Sequence, residues 1–123
     1  MVVSSVTLSF DLEPFVDARW LKPGAFASIT DVATPWVSEG MNAFDVAIID
    51  DQEQEKASPK KMVSAELVAG DLKGLVTGET TAAFDASRRS AFVFRGLAVG
   101  DFAVASLAFS RAVAAGLGTP VQW

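Results

Sequence analysis

Cysteine, histidine and tyrosine are all absent from this chain of 123 residues. Without cysteine the chain has no disulfide bond, no thiolate metal site and no cysteine nucleophile. Without histidine it lacks the usual zinc ligand, the commonest general base and any Ser-His-Asp triad. These absences exclude the common zinc enzymes and triad hydrolases, and we expect no metal site.

Positive charge is also scarce. Ten lysine and arginine residues stand against 15 acidic residues, which gives a formal net charge of −5. The basic residues are scattered, apart from Lys60-Lys61 and Arg88-Arg89. Because binding to nucleic-acid phosphates needs a concentrated basic face, we expect no nucleic-acid partner.

Long hydrophobic runs are missing as well. The N-terminus has neither the basic leader nor the apolar core of a secretory signal. The longest apolar tract, near the C-terminus, is interrupted by Asp101 and Arg111, and it is shorter than the roughly 20 residues that span a bilayer. Because 50% of the residues are apolar and 20% are charged, the composition is that of a globular protein. We expect one cytoplasmic domain, residues 1–123, with no membrane partner.

Four segments have the composition of β-strands, near residues 2–8, 25–30, 44–50 and 91–95. In the third segment the run from Val46 to Ile49 is continuously apolar, which is typical of a strand buried on both faces of a parallel sheet. Crossover segments separate the strands. The pattern therefore predicts an α/β fold with a parallel sheet of about four strands. Because the first strand begins at residue 2, we also expect another segment to precede it.

A long helix is predicted near residues 97–115, and it is apolar nearly all round. Its clearly polar side chains are Asp101, Ser106, Ser110 and Arg111. Because such a helix must be covered on several sides, we expect it to contact a second copy of the chain or a missing domain. The residues expected to divide between the sheet and that intermolecular contact are Leu97, Phe102, Leu107 and Phe109.

Two shorter helices are predicted in the middle of the chain. The acidic segment 50–56 is expected to open a solvated helix, with its carboxylates near the positive N-terminal end. The segment 65–77 has apolar residues at helical spacing and ends before Gly78, a typical helix stop.

Two predicted strands are followed by residues that could belong to a catalytic or binding site. Asp31 follows the second strand, at the edge where open α/β sheets bind ligands, and a desolvated carboxylate there can act as an acid or a base. The alternative for Asp31 is a helix cap or an ordinary loop acid. Arg95-Gly96 follows the fourth strand, and the alternative there is a capped corner with a solvated arginine. Asp50-Asp51 is a weak acid–base pair, because adjacent residues of a strand point to opposite faces.

Glycine-rich phosphate binding has no clear signal in this sequence. Such a loop must follow a strand and open a helix. Gly116-Leu117-Gly118 closes a helix, and the glycines between Gly70 and Gly78 follow no predicted strand. The tryptophans are expected to pack or to lie in interfaces; they are Trp20, Trp36 and Trp123.

Three stretches resemble the ornithine cyclodeaminase and mu-crystallin family. WLKPGAFASITD, residues 20–31, is similar to the family's turn and following strand, which ends at a catalytic aspartate. FDVAIIDDQEQEK, residues 44–56, is similar to its next strand and acidic helix start. AFVFRGLAVGDFAVASLAFSRAVAAGLGT, residues 91–119, is similar to its last strand and long helix. Their order and spacing match over nearly the whole chain.

The resemblance implies a partial Rossmann-like sheet that binds NAD(P), with a separate dimerisation and substrate domain. The activities it implies are those of cyclodeaminases, amino-acid dehydrogenases and ketimine reductases, with Asp31 as the catalytic residue. The residues it places against the cofactor are Val6, Thr7, Thr30, Arg95 and Gly96.

The resemblance covers only the C-terminal part of the family, namely the second half of a Rossmann domain and the start of the segment that returns to the other domain. The glycine-rich turn, the first βαβ unit and the arginine and lysine that hold the substrate have no counterpart here. The family's G-x-D-x-x-G-K segment corresponds to residues 30–36, which contain neither glycine nor lysine. Asp31 therefore lies about two residues earlier than the aspartate of that segment.

Two functions are compatible with this pattern. The first is a fragment or subunit of such an oxidoreductase, which is not catalytic alone and needs a separately encoded N-terminal half. The second is a non-enzymatic, homo-oligomeric interaction module derived from the same fold, because half a nucleotide-binding sheet exposes an edge that must be paired or protected.

Overall fold

The computed structural model of the protein describes residues 1–9, 11–81, 85–119 and 121. At its centre is a five-stranded sheet in which all neighbouring strands are parallel. The strands are β1 (Val2–Ser4), β2 (Phe26–Ile29), β3 (Val46–Ile49), β4 (Val68–Asp71) and β5 (Ser90–Val93). The predicted α/β architecture is confirmed. The four predicted strands are present; three have shorter bounds, and the last is shorter and begins one residue earlier, at Ser90.

The strand order is β1-β2-β5-β3-β4, so that the last strand of the chain lies at the middle of the sheet. On either side of β5 the register is regular, and Val93 pairs with both Ile29 and Ile49. Because the strands are parallel, their carboxyl ends meet at one edge, which we call the carboxyl edge. The chain leaves the sheet there at Ser5, Thr30, Asp50, Leu72 and Phe94.

The presence of β4 shows that the prediction of one continuous helix over 65–77 is wrong. The segment divides into a short 3-10 turn (Ala65–Leu67), strand β4 and helix α2 (Leu72–Thr77). Glycine weakens a helix at two positions of this segment, and β4 instead pairs with β3 in the sheet. Helix α2 does end as predicted, because Gly78 takes the left-handed conformation with φ of 78°.

Gly70 and Gly74 lie in β4 and α2, contrary to the expectation that they follow no strand. A Cβ atom at either position would lie 2.3 or 2.4 Å from the hydroxyl oxygen of Thr80. The backbone N–H of Thr80 also donates to the carbonyl of Gly74 at 2.9 Å. These glycines therefore allow Thr80 to pack closely against the strand–helix junction.

The core lies around the middle strands, where small and branched side chains alternate in rows. Ala91 pairs with Ala27 and Ala47, and the next row on the same face of the sheet joins Val93 to its two isoleucine partners. The other buried apolar residues of the core include Ala18, Trp36, Met41, Phe44, Met62 and Val63. The Trp36 and Phe44 ring centroids are 5.8 Å apart, so Trp36 packs in the core as predicted.

The other two tryptophans differ from Trp36. Trp20 is 72% exposed, on a short 3-10 turn (Ala18–Trp20), so it does not contribute to the core. Trp123 lies outside the described residues, and its predicted packing or interface role stays a prediction.

Helix α1 (Gln52–Ala57) forms where the acidic segment predicts it. The Asp51 carboxylate caps it by accepting hydrogen bonds from the backbone N–H groups of Glu53 and Gln54, at 2.8 and 2.9 Å. The expectation of a wholly solvated helix start is wrong for one residue, because Glu55 is only 6% exposed.

Helix α3 (Ala98–Ala114) has nearly the predicted bounds, but none of its residues is buried. Phe102 is 72% exposed and Phe109 is 71% exposed, and no described strand or helix packs extensively against α3. The prediction that the helix packs on the sheet is therefore wrong. Its hydrophobicity indicates that it needs a cover, but not that the same chain provides one. No helix in the described ranges has the length and hydropathy of a membrane span.

Candidate site at the carboxyl edge

Buried polar groups at the carboxyl edge form two clusters. The Asp31 cluster consists of Asp31, Ser4, Val6 and Trp36, and it lies where β1 and β2 end. The Asp50 cluster consists of Asp50, Glu55, Arg95 and Gly96, and it lies where β3 and β5 end. Because β2, β5 and β3 are adjacent in the sheet, both clusters occupy the same edge.

In the Asp31 cluster, a chain of hydrogen bonds holds one carboxylate oxygen. Asp31 Oδ2 accepts from the Ser4 hydroxyl and, at 3.2 Å, from the backbone N–H of Val6. The indole Nε1–H of Trp36 donates to Ser4 Oγ at 3.1 Å. Asp31 is 2% exposed, and its second oxygen, Oδ1, is buried without a hydrogen-bond partner among the described residues. Since a buried carboxylate oxygen without a donor is costly, Oδ1 is available to a hydrogen-bond donor of a ligand.

The backbone directly after Asp31 is strained. Val32 and Ala33 both have positive φ, 58° and 55°, and this conformation is rare for a β-branched residue. The carbonyls of Asp31 and Ala33 accept from the N–H groups of Thr34 and Trp36, at 3.0 and 3.1 Å. The turn thus brings Trp36 back to Ser4, which donates to the carboxylate. Such strain is concentrated at functional sites in many proteins, which is consistent with a functional role for Asp31.

In the Asp50 cluster, a buried carboxylate fixes the corner between β5 and α3. Asp50 Oδ2 accepts from the backbone N–H groups of Arg95 and Gly96, at 2.9 and 2.7 Å. The side-chain amide of Gln54 donates to the Gly96 carbonyl at 3.3 Å. Asp50 is 2% exposed, and its Oδ1 has no partner among the described residues. Asp50 therefore determines how the chain turns from the central strand into the long helix.

Arg95 forms a largely buried ion pair in the same cluster. Its guanidinium donates to Glu55 Oε2 at 2.5 Å, and the side chains are only 18% and 8% exposed. It also donates to the Lys60 carbonyl at 2.9 Å, and Glu55 Oε1 accepts from the backbone N–H of Met62 at 2.6 Å. The alternative of a solvated arginine is therefore wrong, because the guanidinium is bound by Glu55 of α1 and by the carbonyl of Lys60 in the loop after it.

Two open clefts border the clusters. A cleft of about 430 Å³ adjoins the strained turn after Asp31. Its lining residues include Leu8, Leu12, Pro14, Val32, Thr34 and Lys60. A larger cleft, of about 800 Å³, opens between α1, α2 and the start of α3, beside Asp50. Both volumes lie in the range that small-molecule sites occupy.

Solved structures that are similar to this one include the following three. The crystal structure of CmnK matches with a TM-score of 0.76 and 23% identity, over 98% of this chain and 37% of that chain. An archaeal alanine dehydrogenase dimer with bound NAD matches with a TM-score of 0.70 and 21% identity, over 90% and 38%. A probable ornithine cyclodeaminase from Bordetella pertussis Tohama I matches with a TM-score of 0.63 and 19% identity, over 87% and 38%.

The chain shares the fold of these three proteins. The predicted likeness to ornithine cyclodeaminase is confirmed at the level of the fold. The chain spans 37% to 38% of the length of the three proteins. No protein-family model matches the sequence, and no curated protein matches it.

The predicted cofactor residues on β1 and β2 lie close to Asp31. The Val6 N–H contacts its carboxylate, and the N–H and hydroxyl of Thr30 both donate to the Ser4 carbonyl, at 2.9 and 3.0 Å. Thr7 is exposed at the end of the same segment. The structure thus brings this part of the predicted set together, and its contact with a cofactor stays a prediction.

Arg95 and Gly96 lie on the neighbouring strand end, because the N–H of Phe94 donates to the Ile29 carbonyl at 2.8 Å. Their hydrogen bonds, however, are made within the Asp50 cluster and not with Asp31. The described residues therefore form two clusters where the sequence predicts one cofactor surface.

Four residues of the clusters were not predicted as site residues. Ser4 is inconspicuous in a β-rich run, and Trp36 was assigned to packing alone. Asp50 was discounted because it was placed inside a strand, although it follows the strand. Glu55 was assigned to a solvated helix face. For Asp50, the end of the apolar run at Ile49 is the signal that could have identified it.

NAD(P) is the cofactor implied by the resemblance. The described residues provide only part of what an NAD(P) site requires. Two buried carboxylates at the carboxyl edge each have one oxygen that no described residue contacts by a hydrogen bond, and such oxygens can accept from amide or hydroxyl donors. Within the described ranges, however, no glycine-rich turn joins a strand to a helix N-terminus to hold the pyrophosphate. Nor do three acidic side chains converge there as a metal site.

Proposed function

We propose that this chain supplies the second half of an NAD(P)-binding domain in an oxidoreductase of the ornithine cyclodeaminase and alanine dehydrogenase type. The observation that carries the proposal is Asp31, a carboxylate buried at the carboxyl edge with one oxygen held by hydrogen bonds and the other without a partner among the described residues. The shared fold and the NAD bound in the archaeal alanine dehydrogenase support the choice of cofactor.

In this proposal Asp31 is the acid–base residue of the reaction. The Ser4 hydroxyl and the Val6 N–H occupy Oδ2, so that Oδ1 is the oxygen proposed to act on the substrate. A bound NAD(P) would accept or return the hydride of an amino-acid substrate. The residues proposed to contact the cofactor are Val6, Thr7, Thr30, Arg95 and Gly96.

Catalysis by residues 1–123 alone is not part of the proposal. The described residues provide no pyrophosphate-binding turn, and this deficit is too large for scattered polar groups to replace. The missing turn and substrate-binding residues would come from a segment encoded upstream of residue 1, in the same chain or as a second one. Such a segment is expected to pair with the exposed strand β1, which forms one end of the sheet.

Isothermal titration calorimetry with NADH tests whether cofactor binding needs the upstream-encoded segment. NADH is titrated into residues 1–123 alone, and then into the same residues together with the upstream-encoded segment. We expect heat of binding only in the second case, because only that assembly contains a phosphate-binding turn. The absence of binding under both conditions contradicts the proposal.

The role of Asp31 is tested in the complete assembly by Asp31→Asn, with L-alanine or L-ornithine and NAD⁺ as substrates. Loss of the acid–base group is expected to lower kcat by about 10²- to 10⁴-fold. NADH affinity should change little, because asparagine has the same shape. Asp101→Asn, at an exposed position of α3, is the control and should keep full activity. Equal activity of the two variants excludes Asp31 as the acid–base residue.

A second candidate is the non-enzymatic, homo-oligomeric module, and one observation favours it. Helix α3 exposes two phenylalanines and several valines, as an interaction module requires. A defined oligomer that never binds NADH, with or without the upstream segment, would favour this second function over the first.

A further inference from the structure

Helix α3 carries an apolar seam along one side. Its members are Val99, Phe102, Ser106, Phe109 and Val113. The spacings alternate between three and four residues, as in the seam of a two-helix coiled coil. The pattern thus singles out one face of a helix that otherwise looks apolar all round.

The large members of this seam are all open to solvent. Val99 is 68% exposed, Phe102 72%, Phe109 71% and Val113 62%. A patch of this kind on a monomeric protein marks an interaction surface.

The residues that flank the seam are small and uncharged. They are Ala103, Ala105, Ser110 and Ala112. The two charged residues of the helix, Asp101 and Arg111, lie outside the seam, and Arg111 is on the opposite side. Nothing along the seam therefore repels an identical seam, and the small flanks allow close approach of a second helix backbone.

We propose that this seam binds the same seam of a second copy of the chain, with the two helices antiparallel. The order of side chains, valine-phenylalanine-serine-phenylalanine-valine, is the same from either end, so an antiparallel copy presents an identical surface, as a two-fold interface requires. Antiparallel helices also bring opposite ends of their dipoles together.

The area available is sufficient for such a contact. At roughly 200 Å² for a phenylalanine and roughly 100 Å² for a valine, the exposed seam side chains of two copies offer about 800 Å². The small flanking residues raise the total to the ~1,000 Å² that a specific interface needs. We therefore expect a weak dimer and not a permanent one.

Sedimentation velocity of residues 1–123, from about 1 to about 100 μM, measures this association, since interfaces of this size dissociate in the micromolar range. The expected mass rises from 13.0 kDa towards twice that value. The double variant Phe102→Ser/Phe109→Ser should remain monomeric throughout. A monomer at every concentration for the unsubstituted chain overturns the proposal.

A matched pair of variants distinguishes association through the seam from nonspecific hydrophobic association of the helix. Val113→Ser and Val104→Ser make the same change on the same helix, at residues 62% and 70% exposed, but Val104 lies on the opposite side. Val113→Ser should raise the dissociation constant about tenfold, and Val104→Ser less than about twofold. Equal effects would show that the contact does not use the seam.

A cross-linking experiment tests the same contact if the serine variants fold poorly. The chain contains no cysteine, so Ser106→Cys and Val104→Cys each introduce a single thiol. A short bismaleimide should link two copies through position 106 and not through position 104. Linkage only through position 104 overturns the proposal. The test needs no cofactor, so its outcome is independent of NADH binding.

Discussion

The sheet and helix α3 are both rich in apolar residues, yet they end in opposite environments. In the sheet, Ile29, Val93 and Ile49 form one buried row, whereas Phe102 and Phe109 of α3 are exposed to water. The sheet strands cover one another and receive the loops on their faces, but α3 leaves the central strand through a single corner. An apolar pattern therefore identifies an element that needs a cover, and topology decides whether the chain itself provides it.

The largest expected effect contrasts a buried phenylalanine with an exposed one. Phe44 is 2% exposed in the core and Phe109 is 71% exposed on α3. Phe44→Ala should lower the free energy of unfolding by about 3–5 kcal/mol, because it leaves a cavity beside Trp36. Phe109→Ala should change it by less than ~0.5 kcal/mol. Urea unfolding followed by circular dichroism, at dilutions that keep the chain monomeric, measures both.

A similar loss of unfolding free energy in the two alanine variants would contradict the contrast between the sheet and α3. It would mean that α3 packs on the sheet in solution, and that its hydrophobic residues stabilise the single chain.

An intermediate effect is expected at the junction of the two regions, where Arg95 pairs with Glu55. Arg95→Met removes the cation and leaves a carboxylate that is 8% exposed without its partner. We expect a loss of about 3 kcal/mol in unfolding free energy, as for other broken buried pairs. Thermal and urea unfolding measure it.

Arg19→Met is the matched control for that change. Arg19 pairs with Asp17, but its side chain is 61% exposed, so the loss in unfolding free energy should be much smaller than for Arg95→Met. If the two methionine variants lose the same amount, then the Arg95 pair is an ordinary surface contact and the corner is not fixed by it.

The smallest effect concerns acid stability. The N–H of Gly74, and then that of Gln52, hold the pKa of Asp71 below its ordinary value, while burial opposes them. A carboxyl whose pKa is lower in the folded state stabilises the fold above its unfolded pKa of about 4, and that stabilisation is lost as the pH falls through the folded pKa. Asp71→Asn should therefore be less stable at pH 7 by roughly 0.5 kcal/mol, with the difference vanishing in acid.

Urea unfolding at a series of pH values between neutrality and strong acid checks this prediction. Asp101→Asn, which changes an exposed carboxylate on α3, serves as the control. A constant difference between Asp71→Asn and the unsubstituted chain at all pH values would show that the charge of Asp71 is not what stabilises α2.

Local sequence signals predicted much of the sheet and part of the candidate site. Continuous apolar runs such as Val46–Ile49 mark buried parallel strands, and a residue after such a run, like Asp31 or Arg95, must lie at the carboxyl edge. Strand β4 was missed because Leu67, Val68 and Leu72 also satisfy helical spacing.

The partners of Asp31 were beyond the reach of local patterns. Ser4 and Trp36 are separated by 32 residues, and Ser4 and Asp31 by 27, so only the folded sheet brings them together. The same holds for α3, whose composition indicates a contact surface without indicating what occupies it.

Hydrogen exchange tests the central claim, that the carboxyl edge is the functional edge of a nucleotide-binding half-domain. Residues 1–123 are measured together with the upstream-encoded segment, with and without NADH, by mass spectrometry of peptides. We predict slower exchange on NADH addition at the carboxyl ends of β1 and β2, in peptides covering 4–7 and 29–34. Unchanged exchange in those peptides, or protection confined to the opposite edge of the sheet, would contradict the account.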